Sequence, residues 1–312
     1  MIKQSMMTLA LVCGACAAAG DGQTGEISQN GMSFNGMSFN GISFNGTTLN
    51  GKSLNGKSLN GISFNGTSIA GVAITASSSN TTPPLTGAGL IGSKWNGTAS
   101  DGTAVTLRVD TATAGSAPNS DLWFYGMSYQ TTTGWSPLCG TDPATGRAIQ
   151  AVSVAGQWVV TAADATHYTT STTQFTLACR GATVAKCVEL GYKTYKGYTN
   201  QLTSCVRLLR GDYCGTGTAW TADGTLLNLF DNVGVQADTE AWTPEAEWTP
   251  DGARCVNNKN ASRYELVLAN DPKCIKKVVT ANCGTTFANG AILIDELSPE
   301  ANASILSAQS NY

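Results

Sequence analysis

Four hydrophobic patterns follow one another along the chain, and each predicts a different structure. Residues 6–15 form an apolar run behind Lys3, too short to span a bilayer as a helix, which predicts a cleaved export leader. Between residues 30 and 74 a large apolar side chain recurs every fifth position, at Phe34, Phe39, Phe44, Leu49, Leu54, Leu59, Phe64, Ile69 and Ile74. Beyond residue 89 the period becomes two. Val105, Leu107 and Val109 predict one strand, Trp123, Tyr125, Met127 and Tyr129 a second, and Val152, Val154, Trp158 and Val160 a third. Phe175 with Leu177, Tyr264 with Leu266 and Leu268, and Ile292 with Ile294 add three more.

Three stretches switch to helical spacing. Residues 182–190 place Val184, Cys187 and Val188 on one face and stop at Gly191. Residues 200–210 turn Leu202, Cys205, Val206 and Leu209 inward, with Arg207 and Arg210 outward. A third helix is expected to open with Asp271 as N-cap and Pro272 behind it, burying Ile275, Val278 and Val279. The fold class is α+β and β-rich: a mainly antiparallel β domain with about three helices, preceded by a short stalk.

The stalk, residues 30–74, repeats Asn-Gly-x-Ser/Thr-apolar nine times, the last unit degenerate. It resembles pentapeptide-repeat proteins, which implies a right-handed β-helix with the large apolar residue pointing inward. Lys52 and Lys57 fit that poorly, because a buried unpaired ammonium is costly. The competing reading is a flexible Asn-Gly spacer. Residues 17–29 read as a spacer, residues 75–88 with Pro83-Pro84 as an exposed linker, residues 89–297 as the body, and 298–312 as a tail.

The leader ends in one of two ways. Ala17-Ala18-Ala19 suits ordinary cleavage and secretion, whereas Cys13-Gly14-Ala15-Cys16 resembles the bacterial lipobox, with Cys13 where Leu is usual. The second ending implies lipidation at Cys16, hence a membrane partner through a lipid anchor and an outer-membrane or cell-surface location.

Composition narrows the chemistry. Charged residues make up only 12% of the 312, and the net charge is −3, which excludes the Lys/Arg clustering that nucleic acid requires. A single histidine, His167, excludes His-rich metal cages and leaves a Ser or Cys triad one candidate base. No cofactor or metal is called for. Cys139, Cys179, Cys187, Cys205, Cys214, Cys255, Cys274 and Cys283 are even in number and lack paired Cys-x2-Cys knuckles, so four disulfides are expected. Helical spacing puts Cys187 and Cys205 on facing sides of the first two helices; the remaining connectivity is open.

The segment Cys205-Val206-Arg207-Leu208-Leu209-Arg210-Gly211-Asp212-Tyr213-Cys214-Gly215 resembles the signature of the ADYC domain of exported bacterial proteins. Upstream Trp135-Ser136-Pro137-Leu138-Cys139 and downstream Trp242-Thr243-Pro244 and Trp248-Thr249-Pro250 are similar to the same family, although Gly211 stands where its Ala is expected. The resemblance implies an exported compartment and names no reaction.

Two functions are weighed. The first is a non-enzymatic, lipid-anchored module for binding, adhesion or scaffolding, with Trp242 and Trp248 as an aromatic platform for a surface glycan or envelope protein. The second is an exported hydrolase using carboxylates around Asp212, Asp223 and Asp231, with Glu240, Glu247 and Asp251 nearby. Convergence of two of those carboxylates in a pocket separates the two readings.

Overall fold

A computed structural model describes residues 26–29, 42–45, 58–59, 62–70, 73–78, 81–99, 104–159, 167–169, 174–221, 225–257, 263–274, 279–280, 283, 286–287 and 290–300. The leader with Cys16, most of the repeat, Asp223 and residues 301–312 lie outside them.

The first sheet is built from β7 (Lys94–Ala99), β8 (Ala104–Ala114), β9 (Trp123–Thr131), β11 (Ala151–Ala155) and β14 (Gln174–Cys179), all antiparallel. β10 (Gly134–Pro137) hairpins back on the end of β9. β2 (Ile42–Asn45) pairs with β14 on one side and β7 on the other, so the strands run in a closed ring. Alternation sends Leu107, Val109, Tyr125, Met127 and Leu177 into one core with Leu90, Trp95 and Leu138. The other face of β9, β11 and β14 is buried as well. Phe124, Val152, Val154 and Ala178 join a second core against the helices. A sheet covered on both faces loses polar alternation, which is why β9 reads as nearly continuous apolar sequence.

The second sheet runs β1 (Glu26–Gln29), β15 (Thr225–Asp231), β19 (Leu293–Leu297), β16 (Thr243–Thr249), β17 (Gly252–Val256) and β18 (Val279–Thr280). Its pairings are antiparallel except for β17 with β18. α1 (Thr183–Glu189) and α2 (Thr199–Arg210) lie in the shared core. Cys187–Cys205 pins one helix to the other, as their spacing anticipated, and Cys139–Cys179, Cys214–Cys274 and Cys255–Cys283 complete four disulfides. The α+β, β-rich, mainly antiparallel architecture with three helices therefore stands.

Several local expectations are corrected. Arg207 and Arg210 are buried, because the loop after α2 supplies the Asp212 carboxylate and the Gly217 carbonyl, and Pro250, between Thr249 and Asp251, supplies a second carbonyl. Tyr264 to Leu268 is not a strand; α3 (Tyr264–Asn270) occupies it. Tyr264 and Val267, three apart, are buried while Leu268 is exposed, so the 3.6 spacing prevails over the period of two. Asp271 caps the C-terminus of α3, Val279 lies in β18, and Ile275 to Val278, within the expected third helix, fall outside the described residues. The linker is not a bare extended segment: β5 (Ala73–Ser78) and β6 (Thr81–Thr86) pair antiparallel, and a 3-10 turn, Gly87–Leu90, inserts Leu90 into the core. Pro83 and Pro84 sit on β6, an edge strand, where its register against β5 shifts between Ala76 and Ser78, a place that tolerates proline. At the end of the repeat, β3 (Ser58–Leu59) and β4 (Ile62–Ala70) pair antiparallel with their neighbours; most of residues 30–74, on which the β-helix expectation rests, lies outside the described residues. β12 (Gln157–Val159) and β13 (His167–Thr169) form a separate two-stranded ladder.

Candidate functional site

The motif at 210–214 begins where α2 stops. Gly211 takes a left-handed conformation, φ 63°, and its N–H returns to Leu208 O at 3.0 Å while the Asp212 N–H returns to Arg207 O at 2.9 Å. An added Cβ would stand 3.3 Å from the Trp220 backbone, so the position favours glycine twice over. The Asp212 carboxylate accepts the N–H groups of Thr216 and Gly217, both at 2.9 Å, and pairs with the buried Arg207 guanidinium. Cys214 bridges to Cys274 beyond α3. Tyr213 is buried with its ring 5.0 Å from Trp248 and 5.5 Å from Tyr264, and its hydroxyl donates to Glu245.

Glu245 opens into a polar network sealed inside the protein. The register of β16 against β19 slips between Pro244 and Ala246, a bulge that turns Glu245 inward toward Arg263. Arg263 Nη2 meets Glu245 Oε2 at 2.8 Å, Asp295 Oδ2 at 3.0 Å and Leu208 O at 2.9 Å. Its Nη1 meets Thr221 Oγ1 at 3.1 Å and Leu209 O at 3.4 Å, and its Nε lies 3.1 Å from Glu245 Oε2. One guanidinium thus serves two carboxyls and two carbonyls of the last turn of α2, of which Leu208 O also accepts the Gly211 N–H. Trp248 Nε1 donates to Asp295 Oδ1 at 2.7 Å.

Burial and the neighbouring Glu245 charge push the Asp295 carboxyl well above the ordinary range. Burial acts the same way on Glu245, but the Arg263 charge together with hydrogen bonds from Asp295, Arg263 and Tyr213 outweighs it and holds Glu245 below the ordinary value. One proton therefore rests on Asp295 while Glu245 stays ionised. A carboxyl pair with divided proton affinities is the kind hydrolases use, yet Glu245, Arg263, Asp295, Tyr213 and Trp248 are all buried and no substrate reaches them. The network is an internal cross-brace between α2, α3 and the second sheet.

The other sequence candidates separate. Asp231 accepts the N–H groups of Val233, Val235 and Gln236 at 2.8, 3.1 and 2.7 Å and the Tyr192 hydroxyl at 2.8 Å. Asp212 and Asp231 thus each close their own turn and do not meet; Asp223 lies outside the described residues. Glu247 is buried on β16, and Glu240 and Asp251 sit in loops. Trp248 belongs to the core and Trp242, half-buried, precedes β16, so the two do not form one surface platform. The strand alternation sends Trp248 inward, where Asp295 satisfies its indole N–H. Among the described residues no three His, Cys, Asp or Glu side chains gather as a metal site.

Two surface features had no advance reading. Lys193, buried to 2%, ties to Asp121 at 2.5 Å, and Lys196 reaches the same carboxylate at 3.2 Å, beside a cavity of about 230 Å³ bounded by Asn119, Tyr198 and Gln236. The two lysines and Tyr195 hold Asp121 well below the carboxylate range despite its partial burial. Asp121 is 72 residues from Lys193, a separation that no local pattern announces. On the first sheet, Trp135 of β10 is half-buried under Arg108, 4.4 Å from its ring, with Lys94 at 5.6 Å. Trp135 was legible only as a motif member.

Neither a curated protein nor a solved structure matches this chain. Residues 87–262, more than half of the sequence, match the ADYC domain model, and they contain the turn at 210–214, Glu245 of the network, and six of the eight paired cysteines. The chain belongs to the ADYC domain family.

Proposed function

We propose that this protein is a non-enzymatic module of the cell envelope that binds a surface polymer. One observation carries the reading: the potent acid, base and ionic groups of the family motif are consumed inside the fold. Arg207 and Asp212 neutralise each other, and Arg263, Glu245, Asp295 and Tyr213 form one buried network. Besides carboxylates such as Asp238 and Asp251, the surface presents cations, hydroxyls and half-buried aromatic rings, a mixture that suits recognition. Four disulfides fit an oxidising compartment, and among the described residues no helix is long and apolar enough to cross a membrane.

In this reading Cys16 carries the lipid, ten residues before β1, the first strand of the body. Intact mass of the mature protein tests the anchor: an acylated chain starting at Cys16 supports it, and an unmodified chain starting near Gly20 removes it. Passing the oxidised protein over immobilised envelope polysaccharide tests the function. Retention with the polymer unchanged in length is expected. Multiple-turnover cleavage that disappears in Asp231→Asn would establish the hydrolase instead.

A further inference from the structure

On the outer face of β7, β8, β9 and β10 one row of side chains differs from every other polar group of the body. Lys94 lies opposite Arg108, Arg108 opposite Ser128, and Trp135 opposite Gln130 in the strand registers, so all of them share the face that points away from Leu107, Val109 and Met127. Arg108 is held from three sides. Its Nε donates to Asp110, Asp110 also accepts the Ser128 hydroxyl, and the guanidinium stacks 4.4 Å over Trp135. Only the Nε edge of that guanidinium is used. The Nη edge has no partner among the described residues, and the Arg108 side chain is 32% exposed. Lys94, exposed beside it, has Trp135 as its contact and no carboxylate partner among the described residues.

The motif at 135–139 acquires its explanation here. Leu138 fills the barrel core and Cys139 closes a disulfide, whereas Trp135 belongs to neither the core nor the bridge. Its aromatic face instead keeps a guanidinium flat. A planar fork fixed by stacking and by a carboxylate at its Nε edge loses little side-chain entropy when its Nη edge meets a second carboxylate. Two cations against one acid leave a local positive excess on a chain whose net charge is −3. That excess of one is far below what a phosphate backbone demands, and suits isolated carboxylates spaced along a polymer.

We propose that Arg108, Lys94 and Trp135 form a docking surface for an acidic polysaccharide, with Arg108 as the bidentate receptor of a uronate carboxylate and Lys94 as its electrostatic flank. The assignment rests on the binding reading above and names its ligand class and its face.

The test uses the full-length, oxidised protein with polygalacturonate as the probe, neutral dextran as the uncharged control, and anionic phospholipid vesicles as the third arm. Wild-type protein is expected to bind polygalacturonate with an affinity that falls as salt rises, and to ignore dextran. Arg108→Gln should weaken binding at least tenfold. Arg108→Lys should recover only a part, since an ammonium neither forks nor stacks. Lys94→Glu, at an exposed position, reverses the flanking charge and should weaken binding without touching the fold. Unchanged affinity in both Arg108→Gln and Lys94→Glu overturns the proposal. So does equal binding of dextran, or capture by vesicles alone, which would make the face a membrane contact. If polygalacturonate fails while immobilised envelope polysaccharide still retains the protein, this face is wrong and the binding function stands.

Discussion

Two arginines in this protein sit beside a tryptophan and an aspartate, and they do opposite work. Arg263 has Trp248 and Asp295 around it, every edge of its guanidinium is bonded, and the assembly is sealed. Arg108 has Trp135 and Asp110, one edge bonded, and a third of its side chain in solvent. Residue types alone cannot tell the two apart. What distinguishes them is whether the last donors are spent inside the protein or left for something outside it. The family motif belongs wholly to the first kind: Gly211 ends a helix, Asp212 closes a turn, Tyr213 enters the network and Cys214 locks it.

The comparison breaks most readily at Arg263. Arg263→Met strands Glu245 without its cation, and loss of one member of a buried ionic group costs about 3–5 kcal/mol, to be read from urea unfolding. A cost below about 1 kcal/mol would mean that the network is not the brace described. Opening the Cys187–Cys205 bridge, with both residues changed to alanine, should cost on the order of 3 kcal/mol in the same assay, because it frees a loop of 18 residues between α1 and α2.

The proton on Asp295 supplies a pH test. The native state keeps it while the unfolded chain releases it above roughly pH 3.9, so the native state binds more protons and stability falls as pH rises. Glu245 has the opposite sense, since its lowered value costs stability only as pH falls through the acid range. Between pH 5 and 8 the Asp295 effect therefore stands alone of the two. Wild-type stability relative to Asp295→Asn should decline across that window, by at most about 1.4 kcal/mol per pH unit. A flat difference would show that Asp295 is ionised in the native protein.

Gly211→Ala places a Cβ in a left-handed turn and should cost about 1–2 kcal/mol. The smallest stability effect belongs to the other arginine. Arg108→Gln should change unfolding free energy by less than about 1 kcal/mol, as for a partly exposed ion pair, while altering binding strongly.

Much of the frame was legible in the sequence. Period-two runs located β8, β9, β11 and β14, and Gly191 located the end of α1, because those signals are local. The Cys187–Cys205 bridge followed from helical spacing. β16 was not anticipated, since its bulge at Glu245 breaks the alternation that would have announced it. Arg207 and Arg210 read as a solvated face because sequence records their charge and not the loop that folds over them. The Trp242 and Trp248 pair misled for a related reason: two identical Trp-Thr-Pro units enter the strand at different points, and only one tryptophan meets a buried acceptor. Arg108 and Lys94 carried no signal at all, for their pairing with Trp135 is made across strands.

The most direct measurement compares polygalacturonate affinity in Tyr213→Phe and Arg108→Gln, each checked to be folded. Tyr213→Phe, which removes only a donor from the sealed network, should bind like wild type although it unfolds more easily; Arg108→Gln should lose at least tenfold in affinity. Loss of binding in folded Tyr213→Phe, with Arg108→Gln unaffected, would contradict the account and return function to the family motif.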